Sequence, residues 1–263
     1  MTSPILVAYG AGTNSTAILV GMWEHGIRPD AILFADTGGE EPETYAYLDV
    51  MNRWLAEREW PQLSVVRRAH DNEETLEANC LRFGKLPSVA YGYKTCSQEF
   101  KRRPQERWAR KWPLALEAWA ADEQITKVLG FDADEPYRRD RIKDDKKYRH
   151  VFYLIEWDWG RAECIEAIQR AGLPLPGKSS CFFCPNRKPA QVIALARRHP
   201  DLAARAIAIE HGAAAEDRRT GTRSEIVGLA RRWTWEAILG GAARQASLFA
   251  QDMPCDCYDG GDD

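Results

Sequence analysis

"VAYGAGTNSTAIL", residues 7–19, decides how the rest of the chain is read. The run Ile5–Tyr9 is short, apolar and β-branched, which predicts a strand. From Ser15 to Trp23 the apolar spacing is helical and closes at Gly26. Between them lies a turn of small residues containing Gly10 and Gly12. Such a strand–turn–helix aims several backbone N–H groups and a helix N-terminus at one point, an arrangement that holds anions, phosphate above all. Glycine-rich turns also occur simply because a chain must reverse. The turn alone leaves both readings open.

Working outward, strand and helix patterns alternate. "PDAILFADT" predicts a second buried strand ending at Asp36-Thr37. "PETYAYLDVMNRWLAEREW" predicts a helix with Pro42 in its first turn and Leu48, Met51 and Leu55 on one face. "LSVVRR" is a third strand, and "DNEETLEANCLRF" a short helix capped by Asp71, with Glu74 three residues on. "QITKVLGF" is a fourth strand, leading into "DADEPYRRDR". Alternation of this kind predicts a Rossmann-like parallel sheet with helices on both faces, and ligands in such sheets sit beyond the carboxyl ends of the strands.

Past "VFYLIEWDW" the chain turns mostly helical, with helices expected at 189–198, 201–216 and 223–239, broken by "GLPLPGKSSCFFCPNRKP". The expected organisation is a nucleotide-binding α/β domain over 1–155, a helical region over 156–250 carrying a C-x-x-C, and an acidic tail over 251–263.

At 263 residues the chain can bury a sizeable core. Its net charge of −3 demands neither a nucleic acid nor an anionic membrane as partner. No apolar run reaches the ~20 residues of a membrane span, and Met-Thr-Ser-Pro lacks the pattern of a signal peptide. A cytoplasmic location without membrane association is the expectation. The seven cysteines are Cys80, Cys96, Cys164, Cys181, Cys184, Cys255 and Cys257. In a reducing compartment the close pairs Cys181/Cys184 and Cys255/Cys257 point to metal or sulfur chemistry rather than a disulfide framework. A lone C-x-x-C is compatible with redox activity, structural zinc or an iron–sulfur corner. Cys164 reads as a small buried apolar residue.

Gly10-Ala11-Gly12-Thr13-Asn14-Ser15 after the first strand resembles the pyrophosphate-binding loop, Ser-Gly-Gly-x-Asp-Ser, of the PP-loop ATP pyrophosphatase and phosphoadenylylsulfate (PAPS) reductase superfamily, also called adenine nucleotide alpha hydrolase-like. Here Gly10 replaces the first serine, Ala11 a glycine and Asn14 the aspartate. "ADTGGEEPETYAYLD" is similar to the reductase branch's Asp-Thr-Gly…Pro-Glu-Thr, "KTCSQEFKRRP" to its Cys-x-x-x-x-Lys-x-x-Pro, "LGFDADEPYRR" to its Gly-x-x-x-x-Glu-x-x-Arg, and "SSCFFCP" to its late C-x-x-C. Five elements in the family's order cover roughly residues 5–190.

The resemblance implies ATP binding by Tyr9, Gly10, Ala11, Gly12, Thr13, Asn14, Ser15, Asp36, Thr37, Gly38, Gly130, Asp132 and Glu135. Asp132, Asp134 and Glu135 are candidates for holding Mg²⁺ on the triphosphate, and Lys101 and Arg138 for the catalytic cations. Arg102, Arg103 and Arg139 are equally compatible with a solvated surface. Iron–sulfur members carry four cysteines for one 4Fe–4S cluster. Here Cys96, Cys181 and Cys184 match, and the fourth ligand is Cys80 or Cys257, with Cys255 a further candidate, or the iron is left open. Zinc is the alternative metal.

The reaction implied is α–β cleavage of ATP, adenylation of an acceptor and transfer of sulfur to a nucleic acid or nucleotide. The other readings are PAPS or adenylylsulfate reduction, and nucleotide or cluster binding without catalysis. The implied partners are a nucleic-acid acceptor, a sulfur donor or thioredoxin-like reductant, and a second copy in a homodimer. "PCDCYDGG" departs from the Glu-Cys-Gly-x-His of the sulfonucleotide reductases, which weighs against simple reduction. Basic segments such as "RKPAQVIALARRH" and "LARRW" suit a polynucleotide or a solvated helix face.

Overall fold

A computed structural model describes residues 3–68, 75–222 and 224–241. In chain order β1 (Ile5–Tyr9) leads to α1 (Thr13–Glu24), β2 (Ala31–Asp36), α2 (Pro42–Ala56), β3 (Leu63–Arg67) and α3 (Leu76–Arg82). A 3₁₀ turn at Ser88–Tyr91 precedes α4 (Thr95–Ser97), which widens into a π-turn over Gln98–Arg102 before α5 (Arg103–Ala109). Then come α6 (Pro113–Ala120), β4 (Ile125–Val128), a 3₁₀ turn at Pro136–Arg141 and β5 (Tyr148–Val151). The remaining helices are α7 (Tyr153–Glu156), α8 (Arg161–Arg170), α9 (Pro189–Arg198), α10 (Pro200–Thr220) and α11 (Trp235–Leu239).

The five strands form one all-parallel sheet in the order β3-β2-β1-β4-β5, with Tyr9 beside Phe34 and Val7 beside Val128. The order reverses at β1, so the crevice between the β1 and β4 carboxyl ends is the switch point where α/β sheets bind ligands. Alternation divides the strands between two covers. Val7, Tyr9, Ile32 and Phe34 pack under α1, α2 and α8, while Leu6, Leu33, Ala35 and Ile125 pack against α5 and α6. The chain is thus a Rossmann-like α/β fold with a mostly helical second half.

Nearly every side of α1 is buried, as befits a helix pressed between sheet and α8. Gly21 makes that possible, because a Cβ there would sit 2.3 Å from the Trp157 ring. The apolar clusters run across residue 155. Leu76, Cys80, Leu86 and Phe100 share one core with Phe182, Phe183, Leu195, Ile209 and Trp235.

Three elements differ from the sequence reading. β5 was not expected, because "YRHV" is an edge strand with one buried residue and charged neighbours. The helix α3 is capped by Thr75, whose side chain accepts the Ala78 N–H at 3.1 Å; Asp71 and Glu74 lie outside the described residues. The expected helix over 223–239 shrinks to α11. The buried Glu210 carboxylate accepts the N–H groups of Leu229 (2.7 Å) and Trp235 (2.9 Å), satisfying those donors outside a helix. Arg231 takes a left-handed φ of 62° in the intervening turn. Among the described residues no helix is long and apolar enough to cross a membrane.

Candidate nucleotide cleft and thiol pocket

A cleft of about 670 Å³ opens at the switch point. Its floor is the strand ends, with Ala8, Phe34, Ala35, Leu129 and Phe131 supplying an apolar strip. One wall is the turn at Gly10 and the start of α1. That helix has no acidic residue in its first turn, so its unpaired N–H groups face anions without competition. Gly12 is the N-cap, and its N–H donates to Ser15 Oγ at 3.2 Å. A Cβ on Gly12 would stand 2.7 Å from Ser179 Oγ, so glycine here lets the 177–180 loop lie over the turn. Ala11 is held at φ 56°, in the left-handed region that favours glycine.

The structure brings Tyr9, Gly10, Asn14, Ser15, Gly130, Asp132, Glu135, Lys101 and Arg138 to this one cleft. Thr13 and Ala11 are buried behind the turn, and the Tyr9 ring is core, its hydroxyl 3.3 Å from that of Thr16. Burial drives the Tyr9 phenol strongly upward in pKa, so it stays neutral. Asn14 donates from Nδ2 to Asp132 Oδ2 at 2.8 Å and accepts from Arg161 at 3.4 Å. Asp132 is 5% exposed, and its Oδ1 is a buried oxygen without a hydrogen-bond partner. Burial raises its pKa, opposed by the Asn14 amide and assisted by Asp134. Arg138 is buried, pairs with Glu135 at 2.7 Å and lies over the Phe131 ring at 4.2 Å.

Asp36, Thr37 and Gly38 do not line this cleft. Asp36 accepts from Gly38 N–H, the Tyr45 hydroxyl and Arg67. Gly38, at φ 73°, turns the chain against Thr75. Thr37 faces a second, apolar pocket, its Oγ1 3.1 Å from Cys181 Sγ. Cys96, Cys181 and Cys184 line that pocket together with Leu76, Val89 and Phe183. The C-x-x-C turn is fixed from behind. Phe182 N–H donates to the Gly39 carbonyl at 2.7 Å, and buried Arg187 donates to the Cys181 carbonyl and to Glu41. Cys80 is buried in the same apolar cluster but does not line the pocket. Cys255 and Cys257 lie outside the described residues.

Three thiols in an apolar pocket form a soft donor set, which suits zinc or iron–sulfur. A tetrahedral Zn–thiolate site needs sulfurs about 3.8 Å apart. Among the described residues only Glu41, Glu43 and His199 form a group of three ligating atoms all within 4.8 Å, so at least one pair of the three sulfurs is wider. The free space of the whole pocket, about 30 Å³, points the other way, towards a single ion. Both quantities follow the cysteine rotamers, since a change of χ1 carries a sulfur about 3 Å, so the pocket adjusts to either metal. The Glu41–Glu43–His199 group is itself an ion-pair cluster, tied to Arg187 and Arg198, whose charges oppose a cation there.

Lys101 lines both cavities. Its Nζ stands 3.7 Å from Glu40 Oε1, and Glu40 is 5% exposed with Oε2 buried and unpartnered. Burial raises the Glu40 pKa, countered by Lys101 and Arg187 and reinforced by Asp36 and Glu41. Glu40, Arg161, Lys178 and Ser179 were missed as site residues. The Gly-Lys-Ser-Ser at 177–180 was the available signal; Arg161 and Glu40 had none, since only the packing of α8 and the β2–α2 turn places them.

Comparison with protein-family models and with curated proteins returns no match. The functional reading therefore rests on the geometry and on the motif resemblance.

Proposed function

We propose that the chain binds ATP in the switch-point cleft, cleaves it between the α- and β-phosphates and passes sulfur to the activated acceptor. The observation that carries this reading is Lys101 as a common wall of the phosphate cleft and the thiol pocket. Adenine fits the apolar strip between Phe34 and Phe131, and the α1 N-terminus with Ser15 holds the leaving pyrophosphate. Lys101, Arg138 and Arg161 neutralise charge that builds on the phosphoryl oxygens. The acceptor oxygen attacks the α-phosphorus, the α–β bond breaks, and an acceptor–AMP ester and pyrophosphate result. A sulfur nucleophile then displaces AMP. Asp132, with an oxygen in need of a partner, fits Mg²⁺ shared with phosphate, a metal that binds through one or two carboxylates.

Cys96, Cys181 and Cys184 would hold a 4Fe–4S cluster, with the fourth position open or filled by Cys257, since Cys80 does not line the pocket. When bound, the cluster supplies a site that holds and delivers sulfur. Such thiol chemistry belongs to a reducing compartment, the cytoplasm.

The test is pyrophosphate release from ATP by anaerobically purified protein supplied with sulfide and candidate acceptors. Acceptor-dependent pyrophosphate and AMP support the reading. Intact ATP, or sulfite from PAPS with a thioredoxin-like reductant, refutes it.

A further inference from the structure

The mouth of the thiol pocket has a surface that the proposed reaction does not use. The pocket is lined by Pro87, Val89, Lys94 and Pro185, so the loop that begins at the 3₁₀ turn Ser88–Tyr91 forms one rim. That loop exposes Tyr91 (37%) and Tyr93 (68%). A second loop is fastened to it. Arg231 donates from Nη2 to the Val89 carbonyl at 3.3 Å and to Asn186 Oδ1 at 2.8 Å, two residues beyond Cys184. Two residues further on, Trp233 is 59% exposed. The strong hold of Glu210 on Leu229 and Trp235 fixes both ends of this second loop, so Trp233 is displayed from a braced turn.

The charge of the two loops is one-sided. Residues 88–94 and 226–235 contain Lys94, Arg231 and Arg232 and no acidic residue, although the whole chain is net negative. Glu225 and Glu236 lie just outside the second segment, and Glu236 is paired with His211 at 3.2 Å. Exposed aromatic faces interleaved with cations are what unpaired nucleotides need: π-faces for the bases and positive charge for the phosphates. Protein interfaces are anchored by the same residue types, but neither segment carries an acid to balance its cations, which favours a polyanion with π-faces over a protein surface of mixed charge; a duplex is served by cations alone.

We infer that the Tyr91–Tyr93–Trp233 rim, with Lys94, Arg231 and Arg232, binds single-stranded nucleic acid and presents an unpaired base at the thiol pocket. Its role as the acceptor site rests on the proposed sulfur transfer; the binding itself does not. Stacking tolerates any sequence, so the surface selects strandedness rather than base identity.

The test is fluorescence anisotropy with labelled single-stranded DNA and RNA of about 15 nucleotides, the matching duplexes, and heparin as a polyanion without bases. Single strands are expected to bind at least about tenfold more tightly than duplex. Trp233→Ala and Tyr93→Ala each weaken binding about tenfold, while Trp233→Phe and Tyr93→Phe retain most of it. Arg232→Ala lowers the salt dependence by about one counterion. These side chains are exposed, and melting temperatures equal to the parent's confirm folded variants. Absence of binding, equal affinity for duplex and heparin, or Ala variants that bind like the parent overturn the inference. So does a dimer that Trp233→Ala dissolves without any effect on oligonucleotides. ATP turnover without single-strand binding removes this inference alone; single-strand binding without ATP binding removes the proposed reaction and leaves the surface.

Discussion

Half-buried Lys101 places its Nζ 3.7 Å from Oε1 of buried Glu40, and among the described residues it is the one wall shared by the two cavities. Lys101→Ala removes the cation from both sides, and pyrophosphate release should fall about 100-fold. Glu40→Gln leaves the ammonium in place but loosens it, and the fall should be smaller. Steady-state pyrophosphate assays on the two variants check this; equal losses would show that Lys101 acts only as a partner for Glu40.

Glu40 also predicts a pH dependence. Its folded pKa is raised by burial, so the native state holds the proton at pH values where the unfolded chain, at about 4.3, has released it. Relative to Glu40→Gln, the parent should therefore lose stability as pH rises from about 4 through the folded pKa. Urea unfolding of both proteins across that range reads the difference directly. A parent that gains on the variant as pH rises would contradict the assignment.

Asn14 stands where the resembled loop carries aspartate, and here its amide donates to Asp132 at 2.8 Å. Asn14→Asp replaces a donor with a charge facing Asp132 and Asp134. A destabilisation of about 1–3 kcal/mol is expected, partly recovered by millimolar Mg²⁺. Unchanged denaturant midpoints with and without Mg²⁺ would mean that the Asn14–Asp132 bond contributes nothing.

Cys164 is fully buried in the core that includes α1 and α8, and burial pushes its thiol up to about 12. At pH 8 only about one part in 10⁴ would be thiolate. Native alkylation mapped by mass spectrometry should modify half-buried Cys96 and leave Cys164 intact. Early labelling of Cys164 would show that this core opens.

Much of the fold was legible because its determinants are local. Four strands were readable from β-branched apolar runs, and α2 from Pro42 and the spacing of Leu48, Met51 and Leu55. β5 was not, since its pairing with β4 is a tertiary contact and its residues resemble a charged surface. The region 226–234 misled for a related reason: its helical spacing yields to backbone bonds with Glu210, a residue far away in sequence. The glycine-containing turn between β1 and α1 was readable in the same way. What lay beyond sequence was the division of labour after β2. Phe34 and Ala35 line the cleft at the end of β2 while Thr37 faces Cys181, because the strand stops at Asp36 and Gly38, at φ 73°, then turns the chain away. Asp36, among the residues the resemblance implies for ATP binding, lies outside the cleft lining and accepts from Arg67, Tyr45 and Gly38.

The central claim is that cleft and thiol pocket are two compartments of one site meeting at Lys101. Its most direct test is the alkylation rate of Cys96 with and without a non-hydrolysable ATP analogue, in the parent and in Lys101→Ala. The account predicts that the analogue changes the rate severalfold in the parent and leaves the variant's rate unaltered. An analogue that binds the parent yet leaves Cys96 reacting at the same rate would contradict it.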